Sequence, residues 1–294
     1  MMRKKPLKRK TRETIVAWTF MSIWAVGFLA FTMIPIFTSL YYSLSDVILS
    51  GEGIIVTFNG FDNYAQVFSS AEGFNFLRSV LDFGIEILFK VPIITVFAII
   101  IAVLLNQKIK GRGFFRAIYF LPVIIASGPV INQLINQGAA TIPIVEELGF
   151  IQMINDTFSE GLARPIANIF SELIVILWFS GVQILLFIAA LQKIDKATYE
   201  AAMIDGAGVW ESFWKITIPS LTNMVLVSVV FTIINLATFS ENEAIQHIKN
   251  NMFALETGFG FSSAIAWLYF VVLAVILGVF FLLFRLFTKD RGRR

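Results

Sequence analysis

Six apolar runs, each long enough to cross about 30 Å of hydrocarbon as a helix, constrain this chain more than anything else in it. They fall near residues 15–44, 79–105, 114–135, 166–191, 218–239 and 262–287. No soluble domain could bury them, because 57% of the residues are hydrophobic and only 15% are charged. The expected fold class is therefore all-α, a polytopic membrane protein of six transmembrane helices. A basic tail, 1–14, precedes the first span, 15–44, and an outer loop, 45–77. A core of five helices, 78–288, and a second basic tail, 289–294, complete the division.

Lys and Arg set the orientation. Nineteen of the 23 lie in or just beside the two tails, in or just beside the connection between the second and third spans, and in the segment around 193–219, with Arg116 and Arg285 at the near ends of their spans. Arg78, Arg164 and Lys249 are the only ones in the other three connections, and Lys90 lies inside a span. The positive-inside bias then puts both termini and segment 193–219 in the cytoplasm. The opening MMRKKPLKRKTRE precedes an apolar run too long for a cleaved leader, so it reads as an uncleaved anchor. Placed before a span, that tail is a topology signal near anionic lipid and not a nucleic-acid patch. Cysteine is absent, which excludes disulfides and thiolate metal sites.

Segment 193–219 is the most polar stretch between two apolar runs. It reads as two short helices broken at Asp205-Gly206. Residues 196–204 form the first, with Asp195 or Thr198 as the cap. Gly206 stands where a helix end wants a residue that tolerates positive φ. Val209, Trp210, Phe213, Trp214 and Ile216 give the second helix an apolar stripe. Pro219 then falls in the first turn of the next span, where its missing N–H is harmless. A bent, exposed helical pair of this kind suits docking into a partner's cleft.

Glu200, Ala201, Ala202, Asp205, Gly206, Ala207, Phe213, Ile216 and Pro219 together resemble, in order and spacing, the EAA loop of type I ATP-binding-cassette importer permeases. The likeness extends further. Gly60-Phe61-Asp62-Asn63-Tyr64 resembles a sequence that carbohydrate permeases carry after their first span. Residues 28–45, Gly111 to Pro122 and Gly260 to Ala266 are similar to other parts of the maltose and glycerol-phosphate permeases. Before the last span, however, SENEAIQHIKNNMFALETGFG stands where many relatives have T-x-G-G-P-x-x-x-T, so outer-loop contacts do not carry over. The resemblance implies a permease subunit for a sugar or oligosaccharide, in a bacterial cytoplasmic (inner) membrane. It also implies a second homologous permease, two ATPase subunits and an external solute-binding protein. Glu200 would be the polar contact of a coupling helix, Ala201 and Ala202 would permit close approach, and Gly206 would set the bend.

Nothing in the sequence can cradle ATP: there is no G-x-x-x-x-G-K-[ST] loop, and no H-E-x-x-H or G-x-S-x-G. The chain is expected not to be an enzyme and to bind no cofactor, with ATP and magnesium held by the partner. His247 stands without a second metal-binding side chain near it and reads as a solvated loop residue.

Ionisable and amide side chains inside the spans are candidates for the solute path. Asp82, Glu86 and Lys90 share one face of the second span, and Glu86 with Lys90 has the spacing of an internal ion pair. Asn132, Gln133 and Asn136 cluster on the third span, Trp178 and Gln183 lie on the fourth, and Asn235 lies on the fifth. Amides and aromatics suit sugar hydroxyls and ring faces, and equally suit hydrogen bonds between helices. Pro122, Gly128 and Pro129 would kink the third span. Two other classes stay open. An ion-coupled transporter would use the Asp82–Glu86–Lys90 strip, and a membrane scaffold would bind partners through the same loop without moving solute.

Overall fold

The computed structural model describes residues 9–50, 53–107, 113–114, 117, 173–240, 242–254 and 257–289. Helix α1 (Arg9–Phe28) passes through a π-turn, Leu29–Met33, into α2 (Ile34–Ser43). An antiparallel hairpin follows, β1 (Ser45–Ser50) with β2 (Gly53–Phe58), then α3 (Asp62–Val67) and α4 (Ala71–Asn106). Next come α5 (Leu173–Leu191), α6 (Lys196–Ile204) and α7 (Val209–Ser212). A second π-turn, Phe213–Thr217, leads to α8 (Ile218–Ala237), α9 (Glu243–Met252) and α10 (Gly258–Lys289). Glu13–Ser43, Ala71–Asn106, Val209–Ala237 and Gly258–Leu286 are long and apolar enough to span a bilayer. The stretch Ile176–Leu191 joins them if it is counted with α6, from which it bends by 66°. These helices make the all-α polytopic architecture. The expected third span lies outside the described residues except for Phe114 and Ala117.

Helix α8 begins at Ile218 with Pro219 in its first turn, as expected, and it continues α7 and the π-turn without a break. Val209–Ala237 is one helix of 29 residues, with Pro219 inside it. A proline in a helix interior lacks a donor and clashes with the carbonyl four residues back. The π-turn removes that conflict locally, because the Ile218 N–H reaches the Phe213 carbonyl, five residues back. The same solution occurs in the first span, where the Ile34 N–H reaches Leu29 O just before Pro35.

Two compact units divide the chain: Met1–Leu77 with His247–Phe270, and Arg78–Gln246 with Val271–Arg294. In the first, Asn63 works as a clasp. Its Nδ2 donates to Ser43 O (3.1 Å) and Ser45 O (2.9 Å), while Tyr64 Oη donates to Ser43 Oγ at 2.9 Å. Gly260 packs against this clasp so closely that a Cβ there would lie 2.2 Å from Ser45 O. Trp267 Nε1 donates to Ser39 Oγ at 3.3 Å, and Ser262 Oγ to Ile248 O at 2.5 Å. The turn after β2 and the start of α3 thus aim Asn63 back at the start of β1.

The core of the second unit joins Ala98, Ala102 and Leu105 of α4 with Ile184, Phe187, Ile188 and Leu191 of α5 and Leu221 of α8. In lipid, apolar burial alone does not drive helices together, so small residues such as Ala98 and Ala102, both fully buried, gain close backbone approach and dispersion contacts. One expectation is corrected here: the stretch around His247 is α9 and not a loop. Asn242 Oδ1 caps it by accepting from Ala244 N (2.9 Å) and Ile245 N (3.4 Å), and His247 is half-buried on it. Among the described residues no group of three His, Cys, Asp or Glu could hold a metal ion.

Candidate functional site

Helix α6 has the bounds expected of it, and its two ends show why. Asp195 is the cap, its Oδ1 accepting from Ala197 N at 3.0 Å. At the other end the Ala207 N–H reaches Ala202 O (2.9 Å) and the Gly206 N–H reaches Met203 O (3.1 Å). This pair of bonds is a Schellman closure, which needs a left-handed residue between the two helices. Gly206 supplies it with φ +83°.

The elbow that results stands out of the protein. No residue of α6 is buried, and Glu200, Ala201, Asp205 and Gly206 are exposed, with Ala202 and Ala207 half-buried. Ile204 is 86% exposed and Val209 92%. On the second limb Trp210, Phe213 and Trp214 form a cluster of rings with centroids 5.2 to 6.3 Å apart, and Glu211 pairs with Lys215 one turn on. Phe213 and Ile216 are half-buried, and Pro219 is exposed on the helix surface. The limbs are tied by a hydrogen bond of 2.8 Å between the hydroxyls of Tyr199 and Thr217. Beside it lies a cavity of about 430 Å3, whose walls include Val103, Leu191, Met203 and Phe213.

The polar residues inside the spans separate into pairs. Lys90 Nζ lies 2.5 Å from Glu86 Oε1, with the Lys90 side chain 18% exposed and that of Glu86 39%. Asp82 lies 3.9 Å from Arg78, one turn back on an exposed part of the same helix. Gln183, fully buried on α5, donates from Nε2 to Thr232 Oγ1 of α8 at 2.8 Å. Among the described residues its Oε1 and the buried Ser228 Oγ, one turn from Thr232, have no hydrogen-bond partner. Sequence reasoning missed Ser228 and Thr232; their spacing of four in an apolar helix was the available signal. Trp178 and Asn235 are half-buried. Asn132, Gln133 and Asn136 lie outside the described residues.

No family profile matches the chain. Individual proteins do. It is 30% identical over 236 residues to the probable ABC transporter permease protein YurN of Bacillus subtilis, covering 76% of this chain and 75% of that one. This chain belongs to the ABC transporter permeases. The permease is also 27% identical over 290 residues to the multiple sugar-binding transport system permease protein MsmF of Streptococcus mutans, covering 91% of this chain and 94% of that one. The fold of the permease matches a bacterial alginate ABC transporter, crystallised with an alginate pentasaccharide-bound periplasmic protein. The TM-score is 0.57 at 18% identity, over 91% of this chain and 92% of that one. As a permease subunit it is the membrane-spanning part of its transporter and not the part that hydrolyses ATP.

Proposed function

We propose that this permease forms part of the path by which a sugar or oligosaccharide-like solute is imported, and that α6 docks in a separate ATPase. The exposed, Schellman-closed elbow carries the reading. A short helix with one carboxylate, small residues and an unburied apolar end is shaped to enter a groove in another protein. The sugar class is supported by relatives such as MsmF. A second permease would complete the membrane part, two ATPases would bind the elbows from the cytoplasm, and a binding protein would deliver solute outside. ATP and magnesium would sit on the ATPases, and this chain would contribute no cofactor. The positive-inside charge bias supports cytoplasmic termini in a bacterial inner membrane.

The native chain has no cysteine, so Ala201→Cys gives a single attachment point. The expected results are cross-linking of that cysteine to the ATPase and vesicle uptake of labelled oligosaccharide that needs ATP and the binding protein. Uptake that collapses with a protonophore would overturn the reading in favour of ion coupling. Partner binding without any uptake would overturn it in favour of a scaffold.

A further inference from the structure

We propose that the Tyr199–Thr217 hydrogen bond is the strut through which a push on α6 reaches the Val209–Ala237 helix, which makes Tyr199 a positioning residue for coupling. The proposal rests on the reading of α6 as the docking limb. Two routes lead from α6 into that helix. One is the backbone through Gly206, Ala207 and Gly208, which the Schellman closure fixes at the corner. The other is side-chain contact. Close packing contributes little of it, since α6 buries no residue and the cavity lies under its Tyr199 and Met203. Across that space the two hydroxyls meet at 2.8 Å.

The attachment point is well chosen. Thr217 is 6% exposed and closes the π-turn. Its Oγ1 donates to Ser212 O at 3.4 Å, five residues back, which leaves its lone pairs to accept the Tyr199 hydroxyl proton. A π-turn is a place where a helix bends. A force applied there tilts the span, whereas the same force on a regular turn would only move it as a rod.

The test uses the whole transporter in vesicles: both permeases, the ATPases and the binding protein, with solute moved per ATP hydrolysed as the readout. Tyr199→Phe and Thr217→Val should each lower that ratio about fivefold, the worth of one such bond. The double variant should be no worse than either single, and Thr217→Ser should return the ratio to within about twofold of wild type. In the permease without nucleotide, amide exchange across α6 should be about fivefold faster in Tyr199→Phe. An unchanged ratio in Tyr199→Phe, or a double variant whose loss is the product of the singles, would overturn the strut. Unchanged exchange while the ATPase still co-purifies would overturn it too, and leave docking standing. Failure of the wild-type permease to hold the ATPase would overturn the docking reading and the coupling role with it.

Discussion

Gln183 of α5 gives its amide proton to Thr232 of α8 at 2.8 Å, with both side chains fully buried between two apolar spans. Bonds of this kind between membrane helices are worth about 0.6 kcal/mol on average and up to about 1.7. Thr232→Val should therefore lower stability by roughly 1–2 kcal/mol, since it also strands the Gln183 amide. Adding Gln183→Leu should recover most of the loss, as both polar partners are then gone. A double-mutant cycle on the thermal midpoint in detergent measures this, and strict additivity would refute it.

Among the described residues nothing lies within 4 Å of where a Cβ on Gly206 would stand, so the penalty of a substitution there is in the backbone. Holding an L-residue at φ +83° costs roughly 1–2 kcal/mol. Gly206→Ala should weaken the Schellman closure, and Gly206→Pro should abolish it by removing the N–H that reaches Met203 O. Both variants should reach the membrane at wild-type levels. Stimulated ATP hydrolysis should fall in the first and vanish in the second, and Glu200→Lys should behave like the second.

Gly260→Ala should act in the opposite way, through space and not through φ. Its Cβ would sit 2.2 Å from Ser45 O and 3.0 Å from Asn63 Nδ2, inside the clasp. Overpacking of this kind costs about 1–3 kcal/mol. Gly278, on the same helix α10, has no described residue within 4 Å of the equivalent position, so Gly278→Ala is the control. The first should lower the melting temperature of the purified permease, and the second should hold or raise it.

The Glu86–Lys90 pair makes a prediction about function as well as stability. Glu86→Gln or Lys90→Met alone leaves the other charge without the neighbour it pairs with, and should cost about 1–3 kcal/mol, less than for a fully buried pair. The double variant should regain most of that stability and retain uptake. Uptake lost in a stable double variant would instead assign the pair to the solute path.

What the sequence disclosed and what it hid follow from the range of the interactions. The bounds of α6, its Asp195 cap and the role of Gly206 were legible, because capping and left-handed geometry are decided within a few residues. The Glu86–Lys90 pair was legible for the same reason, being one turn apart. The partner of Gln183 lies 49 residues away on another helix, and nothing local marks it. Helix α9 could have been read from Asn242 followed by Glu243, but its polar sequence between two spans looked like a loop. Continuity through Pro219 depends on a π-turn, which no residue pattern announces. Asn63 stood out through a resemblance, yet its acceptors are backbone carbonyls, which look the same at every position.

The clasp around Asn63 also has a consequence in time. Its Ser43 and Ser45 acceptors leave the ribosome early, whereas Gly260, which seals it, belongs to the final span. At roughly 5–20 residues per second, the about two hundred residues between Asn63 and Gly260 take on the order of 10–40 s to synthesise. During that interval the segment from Ser43 to Asn63 must wait unfinished beside the first helices. Completion of the chain, rather than insertion of the first span, is then the event that locks it.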